Sequence, residues 1–180
     1  MASLRVTAGA LRGRRVPLPA GDLRPTSERA RQAFFNIIGK QVEGARFLDL
    51  FAGSGIFSFE AVSRGAASAT AVDHDRRKIE AISRLADRWS MPVTAVQGEA
   101  VTTLPKLGKN IYDIVYVDPP FDFTAYDELL KAIDRHLSLA PEAVVAIEHR
   151  RRTNPLPDRA GRLQFQRRSE HGEVWITFFA

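Results

Sequence analysis

The run DIVYVDPPFDF, residues 113 to 123, closes a hydrophobic stretch with an acid, two prolines and a ring. Proline supplies no N–H and holds φ at about −65°, so Asp118 and the carbonyl of Pro119 are expected to form a rigid pair of hydrogen-bond acceptors, with Pro120 fixing the turn. Two fixed acceptors suit one donor that carries two hydrogens, an exocyclic amino group. On a nucleobase that group is a poor nucleophile, because its lone pair is delocalised into the ring. Hydrogen bonds from both of its hydrogens favour the pyramidal nitrogen that can attack an electrophile, so alignment and preorganised electrostatics carry the rate. Phe121 offers a face for a flat heterocycle, a stack worth about 1–3 kcal/mol per base. Transfer to nitrogen needs no enzyme nucleophile, which agrees with a chain holding no cysteine.

Two further stretches fall where such a corner would need a second ligand. DLFAGSGIF, from Asp49, takes an apolar run into small residues and then into a helical pattern. That arrangement brings backbone close to a ligand at a helix N-terminus. Gly53 and Gly55 are in place, but Ser58 occupies the third position of a dinucleotide fingerprint, so that pattern is incomplete. AVDHD places Asp73 24 positions after Asp49, where a carboxylate can accept both ribose hydroxyls of an adenosine held over the glycine loop. Asp75 reads as the N-cap of the next helix, and Glu99 in QGEA as either an adenine contact or a helix cap.

These residues need a scaffold, and the apolar periodicity supplies one. From about residue 46, short apolar runs alternate with helical ones, the pattern of βαβ units and a parallel sheet. RFLDLF, SATAV, PVTAVQ, IYDIVYV and AVVAIEH read as five parallel strands, with helices from Ile56, over Arg76–Trp89, and from about Ala125 to Leu137. LQFQRR and VWITFF flank SEHGE as an antiparallel hairpin with Gly172 in its turn. Upstream, LRVTAGALRGRRVPL reads as a short hairpin bent at Gly9 and Gly13, and TSERARQAFFNII as a helix capped by Thr26 or Ser27. The expected boundary places a basic extension at residues 1–25 before a main domain at 26–180. The four histidines, His74, His136, His149 and His171, and the tryptophans Trp89 and Trp175 read as surface or packing residues.

Charge narrows the partner. Residues 1 to 31 hold seven arginines, Arg5, Arg12, Arg14, Arg15, Arg24, Arg29 and Arg31, against Asp22 and Glu28, so 7 − 2 equals the +5 of the whole chain. Concentrated arginine points to a polyanion, since arginine forks onto phosphate oxygens and each contact releases counterions. A solvated charged tail is the alternative. The arginine-studded start lacks a signal-like apolar block and no run reaches the length of a membrane span. A cytoplasmic protein without membrane or metal partner is expected.

Taken in order, DLFAGSG, VDHD and VDPPF resemble class I S-adenosylmethionine-dependent methyltransferases that act on amino groups. More narrowly, RVTAGALRGRRVPLP, LRPTSERARQAFFNI, FLDLFAGSGIFSFEAVSRGA and VYVDPPF resemble the RsmD family of 16S rRNA guanine-N2 methyltransferases, over nearly the whole chain. The resemblance implies an α/β, Rossmann-like, seven-stranded and mostly parallel sheet with an antiparallel C-terminal hairpin and a small N-terminal hairpin. It implies a monomeric enzyme that transfers methyl from S-adenosylmethionine to guanine N2 in 16S rRNA, within the assembled small subunit. Its cofactor site would comprise Asp49, Phe51, Ala52, Gly53, Ser54, Gly55, Asp73, His74, Glu99 and Ala100, with Thr26 and Asp118. Asp118, Pro119, Pro120 and Phe121 would hold the guanine, and Arg12, Arg14, Arg15, Arg24 and Arg29 the RNA. The family often has glutamate at Asp73 and aspartate at Glu99, which keeps the charge and changes the reach. The readings set against this one are an N6-adenine DNA methyltransferase and a non-catalytic RNA-binding assembly factor.

Overall fold

The computed structural model describes residues 2–18, 28–152 and 156–180. Two short strands, β1 (Ser3–Arg5) and β2 (Arg15–Pro17), pair antiparallel with Leu4 opposite Val16. Helix α1 (Glu28–Ile38) follows and ends in a 3-10 turn, Gly39–Val42. Then β3 (Arg46–Leu50), α2 (Ile56–Ser63), β4 (Ser68–Asp73), α3 (Arg76–Trp89) and β5 (Val93–Gln97) alternate. They continue through α4 (Ala100–Leu107), β6 (Ile111–Val117), α5 (Tyr126–His136) and β7 (Ser138–Arg150) to the strands β8 (Arg159–Ala160), β9 (Leu163–His171) and β10 (Val174–Phe179).

The large sheet runs β5-β4-β3-β6-β7-β10-β9-β8. The first five strands are parallel, and β10, β9 and β8 continue it antiparallel. This is the expected mixed sheet, with a two-residue strand added at its edge. Because β3 has β4 on one side and β6 on the other, the order reverses there, and the crevice opens beyond the carboxyl ends of those strands.

Two apolar layers hold the sheet. One face carries Phe47, Ile114 and Tyr116 against α1, α2 and α3. The other carries Leu48, Val115 and Ile147 against α4 and α5. Val6, Leu11 and Val16 from the N-terminal hairpin belong to the first layer, so the basic segment is anchored by burial. Phe34 sits at the centre of that layer, with Tyr116 at 4.8 Å and Phe35 at 4.9 Å between ring centroids.

Helices and strands of the parallel half fall where the periodicity places them, and the Asp75 carboxylate caps α3 by accepting from Arg77 N at 2.8 Å. Two elements differ from the reading. Helix α4, implied only by the alternative reading of Glu99 as a helix cap, carries Pro105 within its eight residues. Strand β7 begins at Ser138, well before Ala143, and its pairing with β6 shifts register between Tyr112 and Ile114. Pro141 sits in the irregular stretch, where a missing N–H is tolerated. No helix among the described residues is long and apolar enough to cross a membrane.

Candidate active site

Strand β3 delivers the chain into Phe51–Gly55, where Phe51, Gly53 and Gly55 all have positive φ, at 65°, 57° and 78°. Left-handed geometry is nearly free for glycine and strained for phenylalanine. At Gly55 an added Cβ would also come within 2.8 Å of Ile82 Cγ1 on α3, so the loop needs a residue without a side chain. Ala52 N donates to Val72 O at 2.9 Å and Gly55 N to Ala52 O at 2.7 Å, which fixes the bend.

Asp49 lies beneath this loop, fully covered by protein, and its Oδ2 accepts from Ser58 N at 3.2 Å and Ser58 Oγ at 2.8 Å. It thus caps the first turn of α2 from the neighbouring strand. Burial pushes its carboxyl up to about 7; the Ser58 hydrogen bonds oppose the shift, and the nearby Asp118 and Asp73 charges add to it. Asp73, also buried, uses Oδ2 to accept from Gly53 N at 2.9 Å and Oδ1 to accept from Asp75 N at 2.9 Å. It therefore joins the end of β4 to the glycine loop. A carboxylate has about four lone-pair sites, so two remain for hydroxyl donors. His74 Nδ1 lies 3.5 Å and Lys78 Nζ 4.0 Å from the same carboxylate.

The third wall is the corner at the end of β6. Asp118 N donates to Leu50 O at 3.2 Å, which ties the corner to β3, and Phe123 N donates to Pro120 O at 2.9 Å to close the turn. Phe121 is 52% exposed, and the Arg150 guanidinium lies 3.9 Å from its ring centre, so the ring stands at the cleft's edge as a stacking surface. Tyr116, below the corner, stacks on Phe57 at 3.8 Å and donates its hydroxyl to Glu148 at 2.5 Å. Burial first, and then the Glu148 charge, hold that hydroxyl well above the ordinary tyrosine range, so it stays a neutral donor.

Together these walls enclose a cleft of about 400 Å³ lined by Asp49, Phe51–Ser54, Asp73, His74 and Asp118–Phe121. The candidate corner and the glycine loop thus share one cavity. Three carboxylates against one lysine suit a ligand carrying positive charge. Leu4, Leu18, Ile56, Phe57, Lys78 and Tyr116 also line it and were not anticipated from sequence. Tyr116 was legible in principle, since it lies two residues before Asp118 on one strand face. Leu4 and Leu18 carried no signal, because a loose apolar residue in a basic segment has no period.

Other expected residues lie elsewhere. Glu99 is exposed at the start of α4, with no side-chain capping bond, and neither it nor Ala100 lines the cleft as described. β5 is the sheet's edge strand, one strand farther out than β4. Arg12, Arg14, Arg15 and Arg29 are exposed and outside the cleft lining. Arg24 and Thr26 lie outside the described residues. Arg31, counted with the basic segment, is instead wholly buried against Glu60.

The family described as conserved hypothetical protein 95 matches residues 4–180. Ribosomal RNA small subunit methyltransferase D of Escherichia coli strain K12 is 36% identical over 147 residues, which cover 81% of this chain and 74% of that protein. A putative rRNA methyltransferase, YlbH, of Bacillus subtilis strain 168 is 30% identical over 181 residues and covers 98% of both. Among solved structures, the putative methyltransferase yhhF from Escherichia coli superposes with a TM-score of 0.85 at 33% identity, over 99% of this chain and 97% of that one.

Proposed function

The chain belongs to the conserved hypothetical protein 95 family, the RsmD-type class I S-adenosylmethionine-dependent methyltransferases, and on that premise we propose that it methylates the exocyclic N2 of a guanine in 16S ribosomal RNA. The observation that carries this reading is the single cleft in which the Asp118–Phe121 corner faces the Gly53–Gly55 loop. The donor set fits the cofactor: a loop with no room for Cβ at Gly55, a helix N-terminus, and three carboxylates toward a cationic sulfonium and ammonium. In the proposed site Asp49, Phe51, Ala52, Gly53, Ser54, Asp73 and His74 hold it, with Asp73 toward the ribose. S-adenosylmethionine, when bound, supplies the electrophilic methyl group.

The chain's own residues prepare the acceptor. Asp118 and the Pro119 carbonyl take the two amino hydrogens of guanine, and the Phe121 ring packs against the base. Positive charge that develops on the nitrogen, as the methyl group leaves the sulfonium and frees the neutral thioether, would be stabilised by the Asp118 carboxylate, which would also take up the proton released. A guanine paired in an A-form helix would hide N2 from this corner, so the target is unpaired or turned out. The Arg12, Arg14, Arg15 and Arg29 side chains, all exposed, would meet phosphate.

The test is to incubate the protein with methyl-labelled cofactor and small-subunit particles from cells lacking the modification, beside deproteinised 16S rRNA, and to map the labelled nucleotide. Label on guanine N2 is expected. Label on adenine, on DNA or on protein overturns the proposal.

A further inference from the structure

The C-terminal hairpin carries a surface that neither the cleft nor the core explains. In β9, Leu163 is buried and the next five residues, Gln164 to Arg168, are all exposed. A strand packed on one face alternates; this one does not, and Phe165 is left 40% exposed. Arginines accompany the rings. From 150 to 175 the chain holds Arg150, Arg151, Arg152, Arg159, Arg162, Arg167 and Arg168 against Asp158, Glu170 and Glu173. Arg159 and Arg162 are engaged by Gly161 O and by Asp134. The others include the guanidiniums that lie over rings: Arg150 over Phe121 at 3.9 Å, and Arg168 over Trp175 at 4.7 Å and near Phe165 at 6.0 Å.

This strip is continuous with the candidate active site. A small enclosed void of about 10 Å³ is lined by Asp118, Pro119 and Phe121 of the main cleft together with Tyr126, the buried Glu148 and His149, Arg150, and Val174, the first residue of β10. Beyond it, the His149 and Trp175 rings are 6.1 Å apart and Arg168 follows. Planar cations alternating with aromatic faces match a chain of bases joined by phosphates: every base has a π-face, and guanidinium both stacks and pairs with phosphate.

We propose that the exposed Phe165 and Arg168 of the β9–β10 hairpin, with Arg168 laid over the half-buried Trp175 ring, dock the single-stranded RNA flanking the target nucleotide, with Arg150 bridging from the strip to the Phe121 corner. The proposal rests on the reading of the chain as an RNA methyltransferase and adds a second contact surface, away from the N-terminal arginines.

The experiment measures binding of a fluorescein-labelled single-stranded RNA of mixed sequence over a salt series, for wild type, Arg168→Ala and Phe165→Ala. All three are checked for melting temperature and cofactor affinity, which these exposed substitutions leave unchanged. Arg168→Ala is expected to weaken binding several-fold and to reduce the slope of log K against log salt by about 0.7, one phosphate on a single strand. Phe165→Ala should weaken binding with the slope unchanged, since it removes stacking and no charge. Wild-type RNA affinity in both variants overturns the docking strip. A loss that appears on assembled particles and not on RNA alone also overturns it, because the strip then meets a ribosomal protein. Methyl transfer to particles is run alongside with the wild type. Its absence overturns the functional reading itself, whereas its presence beside unaffected RNA binding removes only the strip.

Discussion

Asp118 and Asp49 are both carboxylates of one cleft, and their surroundings assign them opposite behaviour. Asp118 is half-buried at the mouth, where it is expected to face the reacting nitrogen. Asp118→Ala should lower turnover roughly 100- to 1,000-fold, the range for loss of one preorganised charge-stabilising group, with circular dichroism and melting unchanged. Methyl transfer at the wild-type rate would remove the corner from the chemistry. Asp49 is buried, and its folded-state value of about 7 lies above the ordinary 3.8, so the folded chain holds that proton more tightly than the unfolded chain. The resulting stability is full below 3.8 and is lost as pH rises through about 7. The denaturation midpoint of the ligand-free protein should therefore decline from pH 3.8 to about pH 7 and level off above, and Asp49→Asn should flatten that part of the curve. A cationic ligand favours the ionised carboxylate, so cofactor affinity measured by calorimetry should rise across the same window. Motif residues of this kind are legible in a sequence because their types are rare at strand ends. The roles of Tyr116 and Lys78 were not, since each depends on a neighbour brought close only by the sheet.

Helix α2 shows why an element can be read correctly and its surroundings missed. Its position follows from the glycine loop, but all eight of its residues are buried, including Ser58, Glu60 and Ser63. A helix behind a sheet normally keeps one face wet; here the N-terminal turn covers it. Ala10 N donates to Ser63 O at 2.8 Å, Leu11 N to Ser63 Oγ at 2.8 Å, and Thr7 N to Glu60 Oε2 at 2.9 Å. Gly9 lies so close that a Cβ there would overlap the Ser63 carbonyl at 1.6 Å. Glu60 also accepts from Arg64 Nε at 2.9 Å and faces Arg31 Nε at 3.6 Å, while Arg31 Nη2 donates to Arg5 O at 2.7 Å. Burial lowers the Arg31 value and the Glu60 charge restores part of it. This cluster fastens the hairpin that contributes Leu4 and Leu18 to the cleft. Glu60→Ala would leave Arg31 buried without its counter-ion, a change that costs about 3–5 kcal/mol at comparable sites. The expected outcome is a lower urea midpoint, with faster tryptic cleavage within Arg12–Arg15. An unchanged midpoint would mean that the hairpin is held by its apolar contacts alone. The strands and helices were legible because their periods are local; the docking was not, because it joins residues 7–11 to 60–63.

At the scale of the whole molecule, the sum of charges is less informative than where the fold puts them. The sequence places the entire +5 within residues 1 to 31, yet Arg31 is interior and Arg5 is paired with Glu28 at 3.4 Å. The remaining residues balance overall, but three of their arginines, Arg150 of β7 and Arg167 and Arg168 of β9, flank β10 in the sheet. The mixed sheet was legible from the alternation of runs, whereas this clustering required knowing that β10 lies between β7 and β9. The N-terminal contribution is separable from the rest. Arg14 and Arg15 are exposed at the start of β2; Arg14 lies 5.4 Å over the Trp89 ring, and Arg15 donates to Ser3 Oγ at 3.2 Å. Neither bond is strong enough to withhold the guanidinium from phosphate, since exposed contacts are worth about 0–1 kcal/mol. Replacing both with alanine should weaken binding to 16S rRNA and lower the magnitude of its salt slope by about 1.4–1.8, two phosphates at 0.7–0.9 each. Cofactor affinity should not move, because neither side chain lines the cleft. An unchanged salt slope would return these arginines to the role of a solvated face. A loss of cofactor affinity would instead show that they hold the hairpin, and with it Leu4, in place.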